Sequence, residues 1–516
     1  MSSLPPPSAA PVSRPARHRL ERRRRRLRRT LIAACTFILL LLLLAGGGYF
    51  YALYRYHQVK KDNVQNLAAE TDNVVNILLI GENCRSCLNG QQANAFGSAS
   101  QVGGNRSDVT MVLHLNTANH TASVVSIPRD TFSPIPGTDR ANRVDDALNV
   151  GPSELVKTVE DDYGIPINHF VALNFDTFQG VVNDLGGINM YFPDPVKDAY
   201  SGLNIPNAGC HHLNGTQALA VVRARHLYYY QGGQWNYDPL GDISRIRRDH
   251  EFLKVLGASM RGRLSNPLTV NSIFGSIAPD LLVDKGFGLS EMIHLVLDFH
   301  GLNPNSVPTK TLQVFEVPGN FTYDGVPGYG SVVFPVSPND YNLIDQYLGI
   351  TPPPIKAGTT VSVLNGSGAY DQAGQVGQAL SALGEDVVNV GDAPSISSDP
   401  AETIVYYAPG EQQQAEALMP YLNGNAIMGE LNLPAGTDLE VVTGTYLTVS
   451  PPPASTSTGA PSSSGSTSAS SGATSGSSVS STANPVPAGD VTQPLNTLPS
   501  FDPRACPAGM PVTPIA

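Results

Sequence analysis

The residues best equipped for chemistry lie in VVRARHLYYYQGGQWNYDPLGDISRIRRD, Val221 to Asp249, where Arg223, Arg225, Arg245, Arg247 and Arg248 crowd near Asp242 and Asp249. A guanidinium is a fixed fork of donors that matches phosphate oxygens, so this cluster reads as an anion site. If AVVRARH is extended, Arg223 and Arg225 point the same way, about 7 Å apart at a rise of about 3.3 Å per residue, which suits two adjacent phosphates. DISRIRRD has the form of a helix start, with Asp242 as N-cap and Arg245 and Asp249 on nearly one face; Phe252, Leu253 and Leu256 continue it as an apolar anchor. The alternative is a set of solvated arginines and structural ion pairs.

Other candidates extend the same chemistry. Glu82 and Asp108 are oxygen ligands suited to a hard cation, and Arg106, Arg129 and Arg143 are further anion binders. No credible nucleophile accompanies them, and His114, His120 and His226 form neither a zinc nor a triad pattern. Paired carboxylates with several arginines fit metal-assisted phosphoryl transfer, since Mg²⁺ (or Mn²⁺) takes one or two carboxylates plus substrate phosphates while arginines neutralise developing charge.

The elements that must hold these groups alternate between strand and helix. NVVNILLIG is a buried strand whose end projects Glu82, and DVTMVLHLN and HTASVVSIP are neighbouring strands, with Asp108 starting the first and Arg129-Asp130 just past the second. RANRVDDALNVG and PSELVKTVEDDYG predict helices, HFVALNF a strand, DTFQGVVNDLGG a helix closed by Gly186-Gly187, and INMYF a strand. LNGTQALAVVRAR begins as a helix capped near Asn214, and helices at 289–300 and 339–348 with a strand near 311–317 complete the unit. The alternation predicts an α/β fold, a mixed sheet in α-β-α layers spanning 74–350. A proline-rich linker (351–358) leads to a small α/β domain (359–449), whose NGSG turn reads as structural, and then to a Ser/Thr/Pro/Gly-rich tail (450–516) expected to be disordered.

The net charge of −11 hides a basic start: residues 1–29 contain ten arginines between Arg14 and Arg29 against Glu21 alone. An anionic ligand must therefore be captured by local focusing, because the outer chain is acidic as a whole. Residues 30–54 carry no charge and are long enough to cross a membrane, a reading favoured over a cleaved signal peptide. The arginine run beside that span is then explained as a cytoplasmic flank, without nucleic acid, and everything from about residue 57 is expected outside the cytoplasm. Residues 55–73 read as a juxtamembrane helix or stalk. Of the cysteines, Cys35 lies in the span, Cys84 and Cys87 form a C-x-x-C for which a disulfide is favoured over zinc, and Cys210 and Cys506 stand isolated.

With these motifs in order, NILLIG, RSD, SIPRD, GIPINHFVALNFDTF, VVNDLGGI, HLNGTQALAVVRARH and GDISRIRRD, the chain from 74 to about 265 resembles the LytR-CpsA-Psr family of membrane-anchored bacterial cell-wall enzymes. VSVLNGSG through EVVTG is similar to the LytR C-terminal domain. The resemblance implies a phosphotransferase that moves a glycopolymer, with its phosphate, from a polyprenyl diphosphate carrier to peptidoglycan. It implies metal binding at Asp108, charge stabilisation by Arg129, and phosphate binding by Arg223, Arg225 and Arg245 around Asp242; Arg143 stands where lysine is common. Arg106 and Arg248 complete the expected anion binders, and Arg247 is read as solvent-facing. Three departures stand out: Glu82 in place of Asp, Asp249 in place of Gln, and the insertion Leu227–Leu240, whose aromatics form either a lid or a sugar platform. A lipid groove is expected between the helices at 176–185 and 214–222. A non-catalytic lipid or polymer binder and a diphosphate hydrolase are the competing readings.

Overall fold

In the computed structural model the described residues are 47–84, 105–449 and 498–515, apart from 49, 72, 139, 262, 264–266, 318–320, 324–325, 338, 395–402, 424–425 and 446. The chain divides into two compact units at Gln58/Val59. In the first, residues 50–56 are helical, with Arg55 Nε donating to Tyr51 Oη at 2.8 Å. Among the described residues no helix is long and apolar enough to cross a membrane; most of the span expected at 30–54, the arginine-rich leader and the Cys84–Cys87 pairing lie outside them.

The second unit is built on the apolar run Val74–Cys84. Apolar residues on both faces make it a strand that must be covered on both sides. It lies inside a seven-stranded mixed sheet, ordered Lys60–Asp62, Leu282–Asp284, His169–Asn174, Val74–Cys84, Asn105–Asn116, Thr121–Ile127, Thr309–Thr311. The inner pairs are parallel to His169–Asn174 and antiparallel to Asn105–Asn116. On one face Leu78, Val112, Val125 and Phe170 pack with Leu155, Val156 and Val159 from the helix Pro152–Tyr163, all fully buried. Each such side chain contributes about 1.5–3 kcal/mol through burial. On the other face Ser126 Oγ meets His250 Nε2 at 2.7 Å, which seats the helix Gly241–Arg261 against Thr121–Ile127. The α-β-α layering read from the sequence is therefore present.

Two boundaries move. Residues 60–62, read as stalk, form an edge strand parallel to Leu282–Asp284, and Val64 and Leu67 pack against the main core, so this domain begins near Val59. Short charged strands at a sheet edge carry little periodic signal, which is why KKD reads as stalk.

The tail differs more. Residues 498–515 are ordered on the domain that begins near Val59: Arg504–Ala505 pairs antiparallel with Ile188–Phe192, and Val512–Pro514 pairs parallel with Gly209–Leu213. Cys210 and Cys506 form a disulfide across a sequence separation of 296. Composition predicts disorder because so few large apolar residues are present; a covalent tie, β pairing and the ring of Phe501 stacked on Tyr229 at 4.0 Å supply the order instead.

The small domain is a five-stranded sheet, Asp386–Asp392, Thr360–Asn365, Leu439–Thr443, Thr403–Tyr407, Ala426–Glu430, with helices Gln372–Leu383 and Gln412–Leu418. It is docked on the domain that begins near Val59 as well as tethered to it: Lys157 Nζ donates to Asp161 Oδ1 at 2.8 Å, to Tyr407 Oη at 2.6 Å and to Gln412 Oε1 at 2.8 Å.

Candidate active site

Asp108 owes its position to an irregularity in the sheet. Gly81 pairs with Val109 and Glu82 with Ser107, so Asp108 is the extra residue of a β-bulge, a device that re-aims a side chain. A Cβ on Gly81 would come within 2.9 Å of Val109 Cβ, so only glycine lets the two strands approach here. The bulge presents Asp108 Oδ1 to Arg129 Nη1 at 2.5 Å. Arg129 follows the strand Thr121–Ile127, and its Nε lies 3.3 Å from Asp242 Oδ1.

Asp242 is where three guanidiniums converge. Besides Arg129, Arg225 Nε approaches Oδ1 at 3.0 Å, and Arg245 Nη2 donates to Oδ2 at 3.1 Å from one turn along the same helix. Burial pushes the Asp242 carboxyl upward, yet Arg245, then Arg129 and Arg225, hold it below the usual range. Burial lowers Arg225, and Asp242 only partly offsets this. In Arg129 and Arg245 burial acts the same way, but the surrounding carboxylates, Asp242 first, outweigh it and raise both.

The sequence reading of this cluster needs three adjustments. The segment carrying Arg223 and Arg225 is not extended: a helix, Gly215–Arg223, runs through it, capped by Asn214 and Gln217 in a reciprocal box, and Arg225 lies beyond the helix end. Helix propensity in TQALAVV outweighs the β-branched pair, so Arg223 and Arg225 do not line one face of a strand. Asp242 lies within the first turn of Gly241–Arg261 instead of capping it. Arg247, read as solvent-facing, is 4% exposed and pairs through Nε with Asp502 Oδ2 at 3.4 Å. Its partner comes from the tail, which local sequence could not supply.

Arg248, expected to bind anion, is likewise committed elsewhere. It is fully buried, donating to Asp502 Oδ1 at 3.2 Å, Asp238 Oδ2 at 3.4 Å and the Ala224 carbonyl. Asp249 does face the cluster, 4.0 Å from Arg245 Nη1, and burial pushes its carboxyl up to about 7 against the pull of Arg245 and Arg248. Arg143 reaches Asp130 Oδ1 at 3.3 Å and donates to the Tyr329 and Ser331 carbonyls, while Arg106 lies at the rim near Asp145 and Asp146. Arg223 ends its helix half-buried.

Glu82 stands apart. Burial raises its carboxyl, and the charge that opposes this is Lys60, not an arginine. Asp145 was missed by sequence reasoning, where VDD read only as part of a helix. Its carboxylate is fully buried, 3.9 Å from Arg129 Nη1 and 3.8 Å from Arg106 Nη1, and neither oxygen accepts a hydrogen bond from the described residues. Burial pushes it up to about 6 despite Arg129 and Arg106. Part-buried Asp108, which accepts from Arg129, and fully buried Asp145 thus approach one guanidinium nitrogen, and the orphaned Asp145 oxygens fit a hard divalent cation.

The two helices between which a lipid groove was expected are in contact. A Cβ on Gly215 would come within 2.4 Å of the Gln179 carbonyl, so the helices Phe175–Asp184 and Gly215–Arg223 touch at that crossing.

A family model described as the LytR_cpsA_psr family matches residues 51–330, more than half of the chain. The chain belongs to the LytR-CpsA-Psr family. A second model, described as LytR cell envelope-related transcriptional attenuator, matches residues 358–446, the small docked domain. Relatives include the probable cell wall biosynthesis protein LcpB of Corynebacterium glutamicum, 29% identical over 47% of this chain and 56% of that protein. The cell wall biosynthesis protein LcpA of the same organism is 24% identical over 73% and 77%. A polyisoprenyl-teichoic acid–peptidoglycan teichoic acid transferase, TagU of Bacillus anthracis, is 29% identical over 36% and 58%. The chain thus spans little more than half the length of LcpB and of TagU. Among solved structures, a LytR-Csp2A-Psr enzyme from Actinomyces oris is 23% identical, covering 56% of this chain and 96% of that one, with a TM-score of 0.43.

Proposed function

We propose that this protein is a phosphotransferase acting outside the cytoplasm, moving a glycopolymer with its phosphate from a polyprenyl diphosphate to peptidoglycan. Residues 30–54 anchor it in the membrane with the arginine-rich leader on the cytoplasmic side. The observation that carries the reading is the convergence of Arg129, Arg225 and Arg245 on Asp242 beside Asp108, a preformed cluster of anion-binding groups. The relatives named as wall biosynthesis proteins and as a teichoic acid transferase support it.

In this mechanism Arg225 and Arg245 take the non-bridging oxygens of the diphosphate, and Asp242 keeps their forks convergent before substrate arrives. A hydroxyl of peptidoglycan attacks the glycan-linked phosphorus, a new P–O bond forms, and the bridging P–O bond to the lipid phosphate breaks. Polyprenyl phosphate leaves and takes up the hydroxyl proton. Arg129 stabilises the charge that develops on the transferred phosphoryl group. Asp108 and Asp145 would hold Mg²⁺ (or Mn²⁺), which when bound supplies Lewis-acid polarisation of the phosphoryl oxygens. Glu82, whose charged neighbour is Lys60, is the less suited partner for Asp108.

The test is release of polyprenyl phosphate from a polyprenyl diphosphate glycan by the full-length protein in detergent with Mg²⁺. Asp108→Ala and Arg129→Ala are each expected to abolish release. Unchanged turnover in both variants sinks the assignment. Lipid binding without turnover under any divalent metal favours a binder, and release that proceeds with water alone as acceptor favours a hydrolase.

A further inference from the structure

The insertion after Arg225 is a β-hairpin, Tyr228–Gln231 paired with Gln234–Tyr237, and its register decides what it displays. Tyr228 lies opposite Tyr237 and Tyr230 opposite Trp235, so alternation puts all four rings on one face. Tyr229 is on the other face, where it stacks flat on Phe501. The ring pairs are in contact, at 5.2 Å for Tyr228–Tyr237 and 5.4 Å for Tyr230–Trp235, yet each ring remains 40–45% exposed. Lys197 Nζ stands 4.0 Å from the Trp235 ring centroid. The hairpin is therefore pinned from beneath by Phe501, with its four-ring face partly exposed and Lys197 set against Trp235.

We propose that this face is a subsite for the glycan of the donor, stacking the pyranose rings nearest the clamped phosphate; the proposal rests on the transferase reading given above. Phenol and indole rings offer an apolar face to the C–H side of a sugar and a polar edge to its hydroxyls. Successive rings along one strand are about 7 Å apart, close to the scale of one sugar unit. Continuity with the clamp identifies the donor as occupant. The Asp198 carboxylate accepts from the backbone N–H groups of Arg225 at 2.8 Å and His226 at 2.9 Å. Its neighbour Lys197 pairs with Tyr228, so Arg225 and the platform are parts of one sheet-and-turn unit. On this proposal, sugars bonded to a phosphate held by Arg225 extend onto the rings of the same unit. No Leu, Ile or Phe lies on this face, which sets it apart from a loop that inserts into lipid.

Trp235 is the one tryptophan of the chain, so its emission reports on this face alone. Full-length protein in detergent micelles would be titrated with a pyranosyl trisaccharide 1-phosphate, with a soluble peptidoglycan tetrasaccharide in a parallel arm. A third arm moves the protein to phosphatidylglycerol nanodiscs without saccharide. The expected result is a saturable change in Trp235 emission with the saccharide phosphate, and a Kd raised about tenfold by Tyr230→Ala or Tyr237→Ala. Response to the peptidoglycan fragment alone overturns the donor assignment. A shift on nanodiscs with no saccharide response marks a membrane contact and also overturns it, as does no response in any arm. The transfer assay separates this proposal from the activity beneath it. Wild-type protein that binds the saccharide phosphate but releases no polyprenyl phosphate removes the activity and keeps the platform. Tyrosine variants with unchanged Kd, while Arg129→Ala still abolishes transfer, remove the platform and keep the activity.

Discussion

Arg248 and Asp502, separated by 254 positions, meet at 3.2 Å with neither side chain exposed. Asp502 also pairs with Arg247, so a single residue of the tail bridges two buried guanidiniums on the helix that carries Asp242 and Arg245, Arg248 being shared with Asp238. Removing one partner from a buried pair leaves uncompensated charge, which typically costs about 3–5 kcal/mol. Asp502→Ala is therefore expected to lower unfolding stability by about that much in a urea titration, and to lower transfer by disordering the arginine helix. Cys506→Ser, which frees the same segment, should cost about 2–5 kcal/mol and move in the same direction. Wild-type stability in both variants would mean that the tail is only resting on the domain.

Much of this architecture was legible because it is local. The strands NVVNILLIG, DVTMVLHLN and HTASVVSIP, the cap at Asn214 and the i,i+4 relation of Arg245 and Asp249 each follow from spacing within a few residues. What stayed hidden depends on distant partners. Nothing near Arg247 or Arg248 announces that both will be buried against a residue near the chain's end, and nothing in RVDDAL says which acid turns inward. Asp145 is fully buried and Asp146 partly exposed, a choice made by how the helix Val144–Val150 rests on the sheet. Arg223 and Arg225 illustrate the opposite error, a local pattern compatible with strand that the helix before it absorbed.

His169 sets a pH dependence at the other end of the sheet. Its Nδ1 lies 3.1 Å from Asp284, and its Nε2 lies 2.8 Å from Glu291 and 3.2 Å from Glu70. Burial lowers the imidazole, but Asp284, then Glu291 and Glu70, outweigh it and raise it to about 9. Because the folded value exceeds the unfolded one of about 6.5, the stabilisation is complete below that pH and is lost as pH rises toward 9. His169→Gln should therefore destabilise the protein at about pH 6 and do so far less at about pH 10. Thermal melts across that range would show the two curves converging; parallel curves would mean that His169 is not charged in the fold.

Asp249 should act with the same sign in a more acid window, although it is the neutral form that the fold favours here. Burial holds its carboxyl at about 7, above an unfolded value of about 3.9, so the folded state retains a proton that the unfolded state has released. Stability from this group falls as pH rises from about 4 to about 7 and is level above that. Asp249→Asn, which keeps the shape and abolishes the titration, should flatten that fall and leave the variant the more stable above about pH 7, by on the order of 1–4 kcal/mol. A variant that tracks wild type at every pH would show that Arg245 keeps Asp249 ionised throughout.

Asp242 provides the sharpest test of the clamp, because substitution there changes charge without removing any arginine. With the carboxylate present, three guanidiniums are held convergent at 3.0–3.3 Å from it. Asn in its place can accept a hydrogen bond but cannot neutralise three like charges, which repel one another across a site of low solvent exposure. The arginines should then splay, and an incoming diphosphate must gather them again. Asp242→Asn is accordingly expected to raise KM for the polyprenyl diphosphate and to lower kcat by about 10²-fold or more, the scale seen when positioned electrostatic stabilisation is lost. Pre-organisation also predicts a salt effect, because added salt screens the repulsion and should restore part of the loss in Asp242→Asn while weakening wild-type binding. If kcat falls with KM unchanged and salt has no influence, Asp242 acts on the reacting phosphorus itself, and the clamp is assembled by the substrate.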